Sequence, residues 1–133
     1  MSNFRVPSTV ALLLLVVNGA CADHYVSLSA AGPGCSAGSI KVTGDVYLET
    51  GWALAGTGRT LTVSVWQNNS LVTAFNVPLT VDSSDPNHFT YTGYGDGSLT
   101  TGATYNVVVE ADFVSSMCVA ETYYTQPVTA AAS

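Results

Sequence analysis

Few side chains of the sequence are of the types that carry out catalysis. His24 and His88 are its two histidines, and no Gly-x-Ser-x-Gly motif supplies a nucleophile for either of them to activate. Glu110 and Asp112 are two positions apart in an alternating segment, which places both carboxylates on one face of a strand about 7 Å apart. Glycoside hydrolases use such pairs, but every strand with a polar face produces this spacing. We therefore expect no catalytic residues and no enzymatic activity.

Metal ligands are also too few for a recognisable site. Zinc requires three or four nitrogen or sulfur ligands, and the two histidines are far apart in the sequence. Loop oxygens suited to calcium are supplied by Asp82, Asp85, Asn87 and Asp96. These lack the Asp-x-Asp-x-Asp-Gly spacing of a dedicated calcium loop, and a solvated turn capped by Asp85 is the simpler interpretation. We expect no metal and no cofactor.

Two aromatic side chains are the best candidates for binding. Trp66 is on the predicted polar face of its strand, and Tyr47 lies among polar residues of another strand. Outward-facing aromatic rings stack on sugars or dock onto proteins. The alternative for Trp66 is a bulge that turns the ring inward, or a ring that lies along the sheet and shields it. The same two interpretations, a ring that binds a partner or a ring that packs on the protein, apply to Trp52 and Tyr94 in glycine-rich segments.

The N-terminal segment predicts export. Residues 10–17 form an unbroken apolar run after a short polar start, which is typical of a signal peptide and too short to span a bilayer. The small side chains of Ala20 and Ala22 favour cleavage after Ala22. The alternative is a lipoprotein in which Cys21 is retained and lipidated. After cleavage at Ala22, His24 would be the second residue, and we expect it to be mobile.

The expected organisation is a signal peptide over residues 1–22, one β-domain over residues 23–126 and a flexible tail over residues 127–133. The exported chain would hold 111 of the 133 residues, a usual size for one domain. It contains all nine acidic residues and two basic ones, Lys41 and Arg59, for a net charge of −7. Such a surface repels nucleic acid and anionic lipid. We expect neither as a partner, and no membrane insertion of the exported chain.

Two cysteines remain in the chain after this cleavage. Cys35 and Cys118 are expected to form a disulfide, because an exported protein folds in an oxidising compartment. The bridge would close a loop of about 84 residues and would contribute roughly 4–5 kcal/mol in the chain-entropy model. Two free buried thiols are the alternative.

Alternation of apolar and polar residues predicts seven short strands and no helix after the signal peptide. The strands are expected near residues 26–30, 40–49, 61–65, 71–81, 89–91, 105–113 and 119–125. Asn68-Asn69 predicts a hairpin turn. Pro78 lacks the N–H that a strand ladder needs, so its strand is expected at a sheet edge or to be bulged there. Seven strands about ten residues apart are typical of a two-sheet antiparallel sandwich, with a small closed barrel as the alternative.

Residues 99–109, LTTGATYNVVV, resemble the L-x-x-G-x-x-Y-x-V-x-V run at the corner before the sixth strand of fibronectin type III and related bacterial immunoglobulin-like modules. The resemblance implies that Leu99 packs in the core and that Gly102 allows the turn. It also implies a tyrosine corner, in which Tyr105 buries its ring while its hydroxyl bonds to upstream backbone. An immunoglobulin-like architecture follows from the resemblance, but no particular function.

These features predict a secreted, non-catalytic β-sandwich module that acts in extracellular binding or adhesion. The alternative is a structural subunit of an extracellular fibre or matrix, in which the uncharged strand at residues 71–81 pairs with the next subunit. The expected partner is an extracellular protein, a glycan or another copy of the chain. Asn68-Asn69-Ser70 is a sequon, so Asn68 is a predicted glycosylation site at the hairpin tip.

Overall fold

The structure, a computed structural model, describes residues 24–55, 60–95 and 97–133. The predictions for residues 1–22, including the signal peptide and Cys21, lie outside the described residues, as does Asp96. Every helix or strand assigned within the described ranges is a β-strand. These ranges accordingly contain no helix long and apolar enough to cross a membrane.

Ten strands form in the described residues, and all of their pairings are antiparallel. In chain order they are β1 (Tyr25–Pro33), β2 (Ile40–Tyr47), β3 (Trp52–Leu54), β4 (Thr60–Gln67), β5 (Ser70–Pro78), β6 (Thr80–Asp82), β7 (Asp85–Tyr94), β8 (Thr104–Ser115), β9 (Ala120–Tyr124) and β10 (Val128–Ala131). One sheet has the order β1-β2-β7-β6. The second has the order β10-β8-β4-β5, and β3 and β9 also pair with β8. The predicted all-β class is confirmed.

The alternating segments supply the buried core. In β2, Ile40 and Val42 have no exposed surface, whereas Lys41 between them is exposed. Buried residues from both sheets belong to one hydrophobic cluster, and each fully buried Val or Ile contributes about 1.5–3 kcal/mol. Gly93 of β7 lies so close to Val77 of β5 that a Cβ on Gly93 would collide with the valine methyl groups. The two sheets therefore touch at this point.

Pro78 marks where the chain passes from one sheet to the other. The sequence predicted a single strand over residues 71–81, but β5 ends at Pro78 in the six-stranded sheet and β6 begins at Thr80 in the four-stranded sheet. The physical reason is that proline has no N–H to donate and cannot continue the ladder. The prediction of an edge position is confirmed, because β5 is the last strand of its sheet order.

At the corner before β8, Tyr105 makes the backbone contact that the resemblance implied. The ring of Tyr105 is buried, with 4% of its surface exposed, and its hydroxyl accepts a hydrogen bond of 2.9 Å from the backbone N–H of Thr100. Leu99 is buried in the core, and Gly102 has a φ of 79°, which glycine adopts without steric cost. The roles expected for these three residues are present.

The C-terminal residues differ from the expected flexible tail. Within residues 127–133, β10 pairs with β8 from Val128 to Ala131, and Ala130 and Ala132 are buried. The last residue also contacts the loop before β2, because Gly38 donates its backbone N–H to the carbonyl oxygen of Ser133. A run of alanines carries no strong strand signal, since alanine has a low strand propensity. Its small side chains pack well once β8 supplies the ladder.

The predicted disulfide is not formed in the structure, where Cys35 and Cys118 are both free and exposed. The loop of Cys35 lies at the end where β8 begins, because Gly38 of this loop bonds to Ser133 and Leu99. Cys118 lies just beyond the other end of β8 and donates its N–H to Ser115. The twelve residues of β8 span roughly 35 Å, whereas a disulfide needs Cα atoms about 4.4–6.8 Å apart. The expectation failed because sequence spacing does not show at which end of a sheet a loop lies.

Candidate functional site

His24 is buried instead of mobile. Its ring lies among three aromatic rings, with centroid distances of 4.4 Å to Trp52, 4.5 Å to Phe113 and 5.1 Å to Tyr123. Its Nε2 is 2.9 Å from Glu121 Oε1, while its buried Nδ1 has no hydrogen-bond partner. The apolar area of the three rings explains why the start of the described chain is held in place. Trp52 is thus part of this packing.

His88, on the outer face of the four-stranded sheet, bridges two carboxylates. Its Nε2 is 2.8 Å from Asp45 Oδ2 in β2, and its Nδ1 is 3.0 Å from Asp82 Oδ2 in β6. Both acceptors are carboxylate oxygens, so both ring nitrogens donate in the charged imidazolium form. The hydrogen bonds to Asp82 and Asp45 raise the pKa of His88 above its usual value. The cluster connects three neighbouring strands of this sheet.

The pKa values of the two carboxylates in this cluster are lowered, whereas that of His88 is raised. The hydrogen bond from His88, helped by those from Ser84, lowers the pKa of Asp82 to about 2. Partial burial by itself raises the pKa of Asp45, but hydrogen bonds from Ser27, His88 and Tyr25 outweigh it and the pKa is lowered. The ring nitrogens point at opposite carboxylates, so the three groups do not converge on one point. They cannot chelate one metal ion in this arrangement.

Tyr47, a predicted binding residue, lies beside this cluster. Its ring stacks against that of Tyr25 in the neighbouring strand, with centroids 5.9 Å apart and planes inclined by 20°. The Tyr25 hydroxyl donates to Asp45 Oδ2 at 3.2 Å. Tyr94, further along the same outer face, is exposed and has Lys41 Nζ 5.7 Å from its ring centroid. Tyr47 is therefore half-buried, with the ring of Tyr25 stacked against it.

Trp66, the other predicted binding residue, lines a cleft on the six-stranded sheet. A register shift in the pairing of β4 with β5 occurs between Val65 and Trp66, but the indole stays with the polar residues, because its Nε1 donates to Ser64 Oγ at 2.9 Å. The cleft has a volume of about 210 Å³. Its lining residues are Trp66, Gln67, Asn68, Thr104, Tyr105, Asn106 and Thr129. None of them is charged.

Hydrogen bonds fix several walls of this cleft. The Gln67 amide donates to the Thr104 carbonyl at 3.2 Å, and Thr129 Oγ1 donates to Asn106 Oδ1 at 3.2 Å. Each of these side chains has further hydrogen-bonding groups, because an amide and a hydroxyl can each make more than one hydrogen bond. Asn68 is at the rim in the hairpin turn, where it and Asn69 have left-handed φ values of 52° and 62°. The predicted hairpin is confirmed.

The structure does not bring Trp66 and Tyr47 together, because they lie in different sheets. Sequence alternation could place each ring on a polar face but could not relate the faces. It also missed two lining residues of the cleft: Asn106 lies opposite Trp66 because β4 pairs with β8, and Thr129 reaches the cleft because β10 pairs with β8. The sequence contained a hint for one of these two residues, because alternation placed Asn106 on the polar face of β8. It contained none for Thr129.

Glu110 and Asp112 lie on the same outer face of β8, where Glu110 is half-buried and Asp112 is exposed. Burial, followed by the nearby negative charge of Asp112, raises the pKa of Glu110 to about 7. Thr122 Oγ1 donates to Asp112 Oδ1 at 2.7 Å. Any strand with a polar face brings two carboxylates to this spacing, so the pair by itself does not indicate glycoside hydrolysis.

The loop carboxylates considered for calcium are engaged in turns. Asp82 Oδ1 accepts the Ser84 N–H at 2.9 Å, and Asp85 Oδ1 accepts the Asn87 N–H at 3.0 Å. The second bond is the cap predicted for Asp85. In the part of the chain that the structure describes, no group of three or more His, Cys, Asp or Glu side chains is arranged to hold a metal ion.

Comparison of the chain with protein-family models found no match. A search among curated proteins likewise found no similar sequence.

Proposed function

We propose that the chain is a secreted, non-catalytic β-sandwich module that binds an extracellular ligand, and that the ligand is a neutral glycan held in the cleft beside Trp66. The observation that carries the proposal is the composition of this cleft. Trp66 lines the cleft together with residues that carry amide and hydroxyl groups, the exposed surface of the cleft is mostly polar, and no lining residue is charged, although the whole chain has a net charge of −6. Indole faces stack on the apolar faces of sugars, and neutral polar groups bond their hydroxyls.

The sandwich architecture is supported by three observations. There are two antiparallel sheets, buried residues from both form one cluster, and the chain crosses between the sheets after Pro78. The Tyr105 hydroxyl contact with Thr100 adds the tyrosine corner of fibronectin type III and bacterial immunoglobulin-like modules. Export of the chain is supported by the apolar run at residues 10–17.

A screen of the exported chain against immobilised neutral and charged glycans, followed by calorimetry on the best oligosaccharide, tests this function. We expect binding of a neutral glycan, and a loss of about tenfold in affinity for Trp66→Ala, since an aromatic contact contributes about 0.5–1.5 kcal/mol beyond the area it buries and about 1.4 kcal/mol corresponds to tenfold in affinity. Trp66→Phe should keep part of the affinity and controls for misfolding. Tyr94→Ala, an exposed ring on the other sheet, should bind normally. The proposal fails if no neutral glycan binds, or if Trp66→Ala binds as tightly as the unchanged chain.

The second candidate is a fibre subunit that assembles through β5. This strand is at a sheet edge, contains no charged residue, and exposes Leu71 by 54% and Val72 by 45%. Natural edge strands usually carry charges that prevent pairing with a neighbour. An unguarded edge is suited to strand addition.

Replacement of Val72 and Ala74 by lysine tests the second candidate. Both residues are exposed, so the change should abolish sedimenting polymers while the midpoint of urea unfolding stays unchanged. The matched control is a double lysine variant at Thr90 and Thr92, exposed positions of the inner strand β7, which should polymerise normally. Polymers that persist in the Val72/Ala74 variant would exclude this edge as the assembly surface.

A further inference from the structure

The turn between β8 and β9 presents an apolar tip around Cys118. Met117 is 84% exposed and Val119 is 53% exposed. Ser115 Oγ accepts hydrogen bonds of 3.1 Å from the backbone N–H groups of both residues, and Cys118 has a left-handed φ of 65°. The turn is therefore held by its own hydrogen bonds while its apolar side chains and its thiol remain exposed. Clustered apolar side chains in water are typical of protein contact surfaces.

A second cleft, lined mostly by small side chains, lies next to Cys35, at the end of the fold opposite to the turn that holds Cys118. It has a volume of about 260 Å³ and is lined by Ala30, Ala31, Gly32, Pro33, Lys41 and Thr43. Four of these six residues have no polar side-chain group, and Pro33 is two residues before Cys35. An apolar cleft beside one exposed thiol and an apolar tip around the other are complementary surfaces at opposite ends of the chain.

The charges of the two ends are complementary as well. Lys41, in the cleft wall, is the one lysine or arginine among the residues that the structure describes. Glu49 and Glu121 lie at the other end, on either side of His24, and Glu121 is three residues after Cys118. A tip seated in the cleft of a second copy brings carboxylates towards Lys41. Two tips together would instead oppose carboxylates, and two clefts together would oppose lysines, so electrostatics favours the unlike pairing.

We propose that Cys118 of one copy forms a disulfide with Cys35 of the next, so that the exported chain assembles head to tail. The roughly 35 Å between the two loops, estimated from the length of β8, prevents the same bond within one chain. A contact between different surfaces of identical copies does not close by itself and produces an open chain of subunits. The inference goes beyond ligand binding, and it rests on the proposed export to an oxidising compartment.

The bond forms by two thiol–disulfide exchanges with a small disulfide such as oxidised glutathione. The Cys35 thiolate attacks one glutathione sulfur, which forms a mixed disulfide and releases the first glutathione thiolate. The Cys118 thiolate of a second copy then attacks Cys35 Sγ, which forms the protein disulfide and releases the second glutathione thiolate. The two protein thiols lose two electrons and two protons. The glutathione disulfide gains them as two thiols.

Oxidation of the reduced, purified exported chain tests the proposal. In a glutathione redox buffer, non-reducing electrophoresis should show a ladder of dimers, trimers and larger species that dithiothreitol returns to monomer. Cys35→Ser and Cys118→Ser should each remain monomeric when oxidised alone, and an equal mixture of the two should stop at the dimer. Mass spectrometry of the dimer should identify a Cys35–Cys118 peptide. Lys41→Glu should slow ladder formation by about threefold or more at low salt, because an attraction between the ends is lost.

Several results would overturn the proposal. If either single variant dimerises as fast as the mixture, the cysteines react merely because they are exposed. If the oxidised chain stays monomeric, with labelled free thiols or with Cys118 bridged within its own chain, no head-to-tail bond forms. Each result leaves glycan binding at Trp66 unaffected, so the two proposals fail separately. Circular dichroism before oxidation verifies that each serine variant is folded.

Discussion

The Tyr105 hydroxyl accepts a hydrogen bond of 2.9 Å from the backbone N–H of Thr100. This contact fixes the corner from which β8 begins, and β8 is the strand to which β3, β4, β9 and β10 all pair. A single side chain thus holds the entry to the most connected strand of the fold.

Replacement of Tyr105 by phenylalanine should lower the free energy of unfolding by about 1–2 kcal/mol, because the buried ring remains while the Thr100 N–H loses its acceptor. Urea denaturation measures this effect. Tyr47→Phe is the control, since Tyr47 is half-exposed on the outer face of β2 and its stacking on Tyr25 survives the change. Equal losses in both variants would remove the tyrosine corner as a source of stability.

Replacement of His24 by alanine should lower the free energy of unfolding by about 2–4 kcal/mol, the usual cost of removing a large buried side chain. The imidazole is 2% exposed and packs on Trp52, Phe113 and Tyr123. The measurement is again urea unfolding, with Ser29→Ala at an exposed position of β1 as the control. A variant as stable as the unchanged chain would show that His24 does not anchor the N-terminal strand.

The contribution of His88 to the stability of the fold should pass through a maximum as the pH is varied. Its raised pKa means that its stabilisation is complete below the unfolded value of 6.5 and is lost as pH rises through the folded value. The lowered pKa of Asp82 means that its stabilisation is present above 3.8 and is lost as pH falls towards about 2. The difference in melting temperature between the unchanged chain and His88→Gln should therefore be largest between about pH 4 and 6.5. A difference that stays constant from pH 2 to 9 would contradict the charged bridge.

Glu110 should destabilise the fold once it ionises. The folded state keeps its proton between the usual value of 4.5 and about 7, so stability falls as pH rises through this window. Glu110→Gln should therefore raise the free energy of unfolding at pH 8 by on the order of 1 kcal/mol, a value reduced for solvent screening because the group is about half exposed. The same variant at pH 4 is its own control and should be nearly neutral. No gain at pH 8 would mean that Glu110 ionises normally.

Much of the fold was predictable because alternation reports which face of a strand is buried. The segments of β2, β4 and β8 follow this period closely, and the left-handed tendency of Asn68 and Asn69 predicted the hairpin between β4 and β5. β3 and β10 were missed, because three residues are too few for a period and the alanines of β10 have weak strand propensity. At the candidate site, alternation correctly predicted that Trp66 faces outward. It could not predict the cleft, which is formed by residues of several strands.

The sequence by itself determined the strand class and the position of the hairpin, since each depends on local periodicity or on neighbouring residues, and the resemblance of residues 99–109 implied the contact of the Tyr105 hydroxyl with upstream backbone. The tertiary structure decided which loops share an end of the sheets. It placed Cys35 and Cys118 far apart, packed His24 among three aromatic rings and put Asn106 and Thr129 beside Trp66. These relationships depend on the order in which strands pair, and strand order is set by contacts between residues distant in the chain, which local patterns do not encode.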